Sequence, residues 1–68
     1  DFVLEWRGRL LAVEVKATPR PTHHDGRHLR SFLDEYGKTA HGALLLHTGG
    51  TTEWLSQGVL SVPWWRVL

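Results

Sequence analysis

The sequence predicts an α/β fold built on a mixed sheet: a β-hairpin, a crossover helix and a parallel strand. Three observations predict it. Asp1 to Trp6 and Arg9 to Thr18 are β-rich runs flanking Arg7-Gly8, the pattern of a two-residue hairpin. Leu29, Phe32, Leu33 and Tyr36 recur at i, i+3, i+4 and i+7, the spacing of one helix face. The run Ala43-Leu44-Leu45-Leu46-His47 is apolar on both parities and follows a glycine, which suits a strand buried on both faces. Strand, helix and strand in this order make a right-handed parallel crossover.

Each element follows from its residues. With Arg7 and Gly8 as the loop, Trp6 pairs with Arg9 and Asp1 falls opposite Glu14. Side chains alternate across a strand, so Lys16 shares the Glu14 face. Phe2, Leu4, Trp6, Leu11, Val13, Val15 and Ala17 gather on the other face as the expected core. Pro19 and Pro21 end the hairpin, since proline donates nothing to a ladder. Thr22 and Asp25 form a capping box with Asp in the Glu position, which starts a helix near residues 25 to 36, and Gly37 caps its end. Gly49-Gly50 turns the chain. Thr51 to Gln57 is expected as a short helix with Trp54 and Leu55 inward, closed by Gly58. Val59 to Val62 reads as a last strand, with Pro63 confining it to a sheet edge or a strand end.

Composition limits the possibilities. A chain of 68 residues holds one small domain with a marginal core, and its zero cysteines leave no disulfide framework and no thiolate metal site. The missing staples suggest an incomplete fragment of something larger. Eight Lys and Arg against seven Asp and Glu give a net charge of +1, well short of the basic footprint of a dedicated nucleic-acid binder. The longest uncharged stretch, Thr39 to Thr52, contains two His and three Gly and is broken by turn formers, so it does not read as a membrane span.

The chemistry centres on the hairpin. Opposed residues have Cβ atoms about 4.5 to 5.5 Å apart, and like charges there repel, so the Asp1 and Glu14 pair calls for a cation or a shared proton. Mg²⁺ answers that need with one or two carboxylates, completing its shell with water and phosphate oxygens. Lys16 beside it is suited to orienting a water or stabilising charge on a phosphoryl group. A solvated strand face with alternating charges is the competing reading of the same three residues.

Asp1, twelve residues, then Glu14-Val15-Lys16 resembles the D...ExK core of the PD-(D/E)xK nuclease superfamily. The phrase from Asp1-Phe2-Val3-Leu4-Glu5-Trp6 through Val13-Glu14-Val15-Lys16-Ala17-Thr18, with the helix, the small-apolar strand and the closing Gly58-Val59-Leu60-x-Val62-Pro63-Trp64, is similar to the uncharacterised C-terminal domain of prokaryotic AAA-type ATPases. The resemblance implies a restriction-endonuclease-like fold, with residues 1–68 as one C-terminal nuclease-like domain fragment lacking an upstream helix, often bearing another acid, and the first strand. It implies Mg²⁺ held by Asp1 and Glu14, with Lys16 assisting the attacking water. It also implies an upstream ATPase domain as partner, where any ATP would bind, DNA or another nucleic acid as substrate, no membrane, and a cytoplasmic location. The alternative is a catalytically inactive module that binds nucleic acid or protein beside the ATPase.

Other groups carry less. His24 and His28 share a helix face at i, i+4 beside His23, a spacing that metal ligands use, although a histidine-rich exposed loop is the commoner meaning. Arg20, Arg27 and Arg30 flank that loop and are placed to meet phosphates or to solvate a helix start. Trp64-Trp65 suits a core or domain interface, or base stacking. Gly49-Gly50-Thr51 lacks the GK[ST] of a phosphate loop, so this segment should not bind ATP.

Overall fold

The hairpin forms as its turn residues dictate. In the computed structural model, which describes residues 1–68, β1 (Phe2–Trp6) pairs antiparallel with β2 (Arg9–Val15) from Phe2↔Val13 to Trp6↔Arg9. Arg7 and Gly8 have φ of 51° and 79°, the two left-handed residues of a type I′ turn whose twist matches the strands it joins.

The chain then leaves the sheet through Pro19 and Pro21. A 3-10 turn over His24–Gly26 leads into α1 (Arg27–Tyr36), and β3 (Ala40–His47) returns parallel to β2. The Thr22 N–H donates to Asp25 Oδ2 at 2.8 Å and the Asp25 N–H donates to Thr22 Oγ1 at 3.4 Å, a reciprocal capping box around the 3-10 turn. Gly37 follows the helix but is right-handed at φ −51°, so it is not the left-handed cap the sequence suggested. Thr39 closes the helix end instead, donating its N–H (2.9 Å) and its hydroxyl (3.1 Å) to the Tyr36 carbonyl.

The segment expected as a helix over Thr51 to Gln57 is a strand. β4 (Glu53–Ser56) turns back through Gln57-Gly58, with Gly58 at φ +85°, and pairs antiparallel with β5 (Val59–Pro63). Pairing satisfies the outer edge of β5, which a one-turn helix would have left open. β5 runs parallel to β3, giving the sheet order β1-β2-β3-β5-β4. Pro63 sits at the end of β5, where its missing N–H disturbs no further pairing.

The helix covers the sheet face opposite to the one expected. Leu29 packs with Ala12, Ala43, Leu45 and Val59, joined by Phe32, Leu33 and Leu55. That is the Glu14 side of β2. The small side chains of Ala12 and Ala43 on adjacent strands leave room there for the large helix residues. Tyr36, expected inward, is exposed and stacks at the margin on Phe32 with ring centroids 5.0 Å apart. On the other face Val13, Leu46 and Val62 form a second cluster with Leu11, Leu44 and Leu60, while Phe2, Leu4, Trp6 and Val15 stay exposed rather than forming a closed core. β3 is buried on both sides, as its unbroken apolar run requires. No helix is long and apolar enough to cross a membrane.

Candidate functional site

The hairpin register carries the acids beneath the helix. One step beyond Phe2↔Val13 sets Asp1 opposite Glu14, and the Asp1 carboxylate accepts the Val15 N–H at 3.3 Å. The Glu14 side chain is 8% exposed and accepts no hydrogen bond; its one ion-pair partner is Lys16, whose Nζ lies 3.7 Å from Oε2. Glu14 is therefore no part of a solvated strand face. A pocket of about 310 Å³ between β1, β2 and α1 is lined by Asp1, Val3, Ala12, Glu14, His28 and Phe32, among others. Sequence, register and helix placement thus bring Asp1 and Glu14 to one cleft, with Lys16 beside Glu14.

The turn before the helix holds another acid. Asp25 is held below the ordinary carboxylate value of 3.8, first by the Thr22 backbone N–H, against a smaller desolvation effect, and further by the Thr22 hydroxyl and the positive charges of Lys16 and His24. Asp25 enters through this turn, and its only sequence signal was the capping box.

The three histidines of the loop separate. His23 Nδ1 meets the Leu55 carbonyl at 3.2 Å, while His28 lines the acid pocket, a position its grouping with His23 and His24 had hidden. No group of three or more His, Cys, Asp or Glu is placed to hold a metal ion, which leaves the His24 and His28 pair without further ligands. Arg27 and Arg30 donate to the carbonyls of His24 (3.1 Å) and His23 (2.5 Å), so both brace the turn. Trp64 and Trp65 lie half-exposed in a terminal 3-10 turn, with the Arg66 guanidinium 5.0 Å from the Trp65 ring centroid.

A further histidine escaped the sequence reading. His47 ends β3 with 1% of its surface exposed; its Nδ1 accepts the Gly49 N–H at 2.9 Å, which places the ring proton on Nε2, 2.9 Å from the Thr51 carbonyl. Its signal was a polar residue closing a leucine run just before Thr48-Gly49-Gly50-Thr51.

The sequence profile of one family, Domain of unknown function (DUF4143), matches residues 1–67. The chain belongs to DUF4143. No curated protein matches it, and no solved structure does. The DUF4143 match takes in the hairpin, the helix, all five strands and every residue of the acid pocket.

The donors in this DUF4143 chain fit a hard cation. Two carboxylates meet the demand of Mg²⁺, which keeps several waters and takes one or two protein oxygens. The Glu14 carboxylate accepts no hydrogen bond within the chain and lines the pocket with Asp1, which leaves its oxygens available as ligands.

Proposed function

We propose that this DUF4143 domain is nuclease-like, acting in the cytoplasm beside an ATPase domain and hydrolysing phosphodiesters of nucleic acid with Mg²⁺. Asp1 and Glu14 would hold the metal, which when bound supplies a Lewis acid for the phosphoryl oxygen and a more acidic water. Lys16 would orient the attacking water and stabilise charge that develops on phosphorus. One observation carries the reading: a largely buried Glu14 side chain that accepts no hydrogen bond from the chain, 3.7 Å from Lys16 and sharing its pocket with Asp1. Burial of an incompletely paired charge costs stability, and active sites are where proteins retain such arrangements.

Incubation of DNA with the protein and Mg²⁺ or Mn²⁺ tests this. Wild type should cleave, and Lys16→Ala should lose about 10²-fold or more in rate, the usual effect of removing a charge-stabilising group. Absence of cleavage by wild type with either metal would overturn it.

A second reading has its own support. Phe2, Leu4, Trp6 and Val15 expose a row of large apolar side chains on the face that the helix leaves open. Such patches mark interaction surfaces, which favours a non-catalytic module that docks on the ATPase. Cleavage separates the two readings.

A further inference from the structure

At the carboxyl ends of β2 and β3 lies another concavity, of about 560 Å³, whose wall includes Arg20, Thr22, His47, Gly50, Thr51 and Glu53. Open α/β sheets favour ligands at this end of their parallel strands. The loop over residues 48–52 is firmly held. His47 bonds Gly49 and Thr51, the Thr48 N–H donates to the Thr18 carbonyl at 3.0 Å, and Arg66 donates to Thr52 Oγ1 (2.7 Å) and to the Gly50 carbonyl (3.1 Å). Gly49 packs so closely on Pro19 that a Cβ would collide with the Pro19 carbonyl.

Within this fixed loop the N–H groups of Gly50 and Thr51 have no acceptor in the chain. Arg27 and Arg30 are committed to backbone carbonyls, whereas the Arg20 guanidinium has neither a hydrogen bond nor an ion pair. Glu53, which lines the same pocket, is unpaired as well. The pocket lining thus includes one unpaired cation, two unpaired backbone amides and one carboxylate.

We propose that this pocket is a subsite for a phosphodiester of a nucleic-acid strand, Arg20 and the Gly50 and Thr51 amides holding a phosphate other than the one cleaved. The assignment rests on the phosphodiesterase reading above and extends it. Lys16 stands at the same end of the sheet: its N–H donates to the Leu46 carbonyl at 2.8 Å, so it lies alongside His47 in register. Thr22, bonded to Asp25, lines the pocket too. The charge balance selects the ligand. A diester carries one negative charge, which Arg20 matches, while a phosphate monoester carries about 1.5 to 2 at pH 7 and meets Glu53 with the excess. A strand is therefore preferred to a free mononucleotide or to inorganic phosphate.

Fluorescence anisotropy of a labelled single-stranded oligodeoxynucleotide without divalent metal, with AMP and inorganic phosphate as competitors, tests the subsite. Arg20→Ala, at an exposed position, should weaken binding about tenfold, the worth of one charge-assisted contact, and lower the salt dependence by about one phosphate. Arg20→Lys should restore part of the affinity, and Glu53→Gln should make AMP a better competitor relative to the oligonucleotide. Unchanged binding in Arg20→Ala, or AMP competing with wild type as well as the oligonucleotide does, overturns the subsite. Lys16→Ala keeps the two claims apart. Arg20-dependent binding without cleavage by wild type retires the hydrolase and keeps the subsite, whereas cleavage with Arg20-independent binding does the reverse. A wild type that neither binds nor cleaves overturns both.

Discussion

At Glu14 the proposed function and stability pull in opposite directions. The Glu14 side chain lies under a helix with one ammonium at 3.7 Å, and apolar replacements of ionic groups in such settings are often neutral or stabilising. Glu14→Leu should therefore leave metal-free stability unchanged or raise it by about 1 kcal/mol in chemical denaturation, fitting beside Ala12 and Leu29. Loss of several kcal/mol would mean that Glu14 is a structural ion pair. Ser61 offers a simpler case: its hydroxyl is fully buried and has no partner, so Ser61→Ala removes an unsatisfied group and should stabilise slightly on thermal melting. Asp25 sets a pH dependence. Its folded value lies below 3.8, so its stabilisation is complete above that pH and is lost as pH falls through the depressed value. Asp25→Asn should accordingly lower the melting temperature at pH 7, and the gap to wild type should shrink in acid below pH 3.8.

Among the elements, the strongest local signals were legible. Arg7-Gly8 fixed the hairpin register, and with it the Asp1 and Glu14 opposition, because two left-handed residues admit one pairing. The helix and the β3 run were readable from their periods. Thr51 to Gln57 was not, since Trp54-Leu55 suits either an inward helix turn or a strand, and the choice was made by the open edge of β5. Nor could periodicity say which hairpin face the helix would cover, because that depends on Ala12 meeting Ala43 on a strand 31 residues later. Two variants probe these packings. Phe32 is half-buried, so Phe32→Ala should cost about 2 kcal/mol, below the 3 to 5 of a fully buried ring. Gly49→Ala forces a Cβ against the Pro19 backbone, so it should cost about 1 to 3 kcal/mol and reduce amide exchange protection at Gly49 as its bond to His47 is strained.

At the scale of the whole molecule, one sheet separates two kinds of surface. One face carries the helix, the acid pocket and, at its strand ends, the polar concavity; the other displays Phe2, Leu4, Trp6, Val15 and Trp54 around a smaller cluster. The sequence divided the hairpin into an apolar and a charged side correctly, but not their environments: the charged side is the covered one. That inversion puts Asp1 and Glu14 in the helix-covered cleft, and the proposed metal site follows from it, since a carboxylate shielded by Leu29 and Phe32 attracts a cation more strongly than one in water. Calorimetric titration of Mg²⁺ and Mn²⁺ into wild type, Glu14→Ala and Lys16→Ala measures this most directly. Heat of binding in wild type and Lys16→Ala, with none in Glu14→Ala, is the predicted result. Silence in wild type, or equal binding by Glu14→Ala, would contradict a metal site at Asp1 and Glu14.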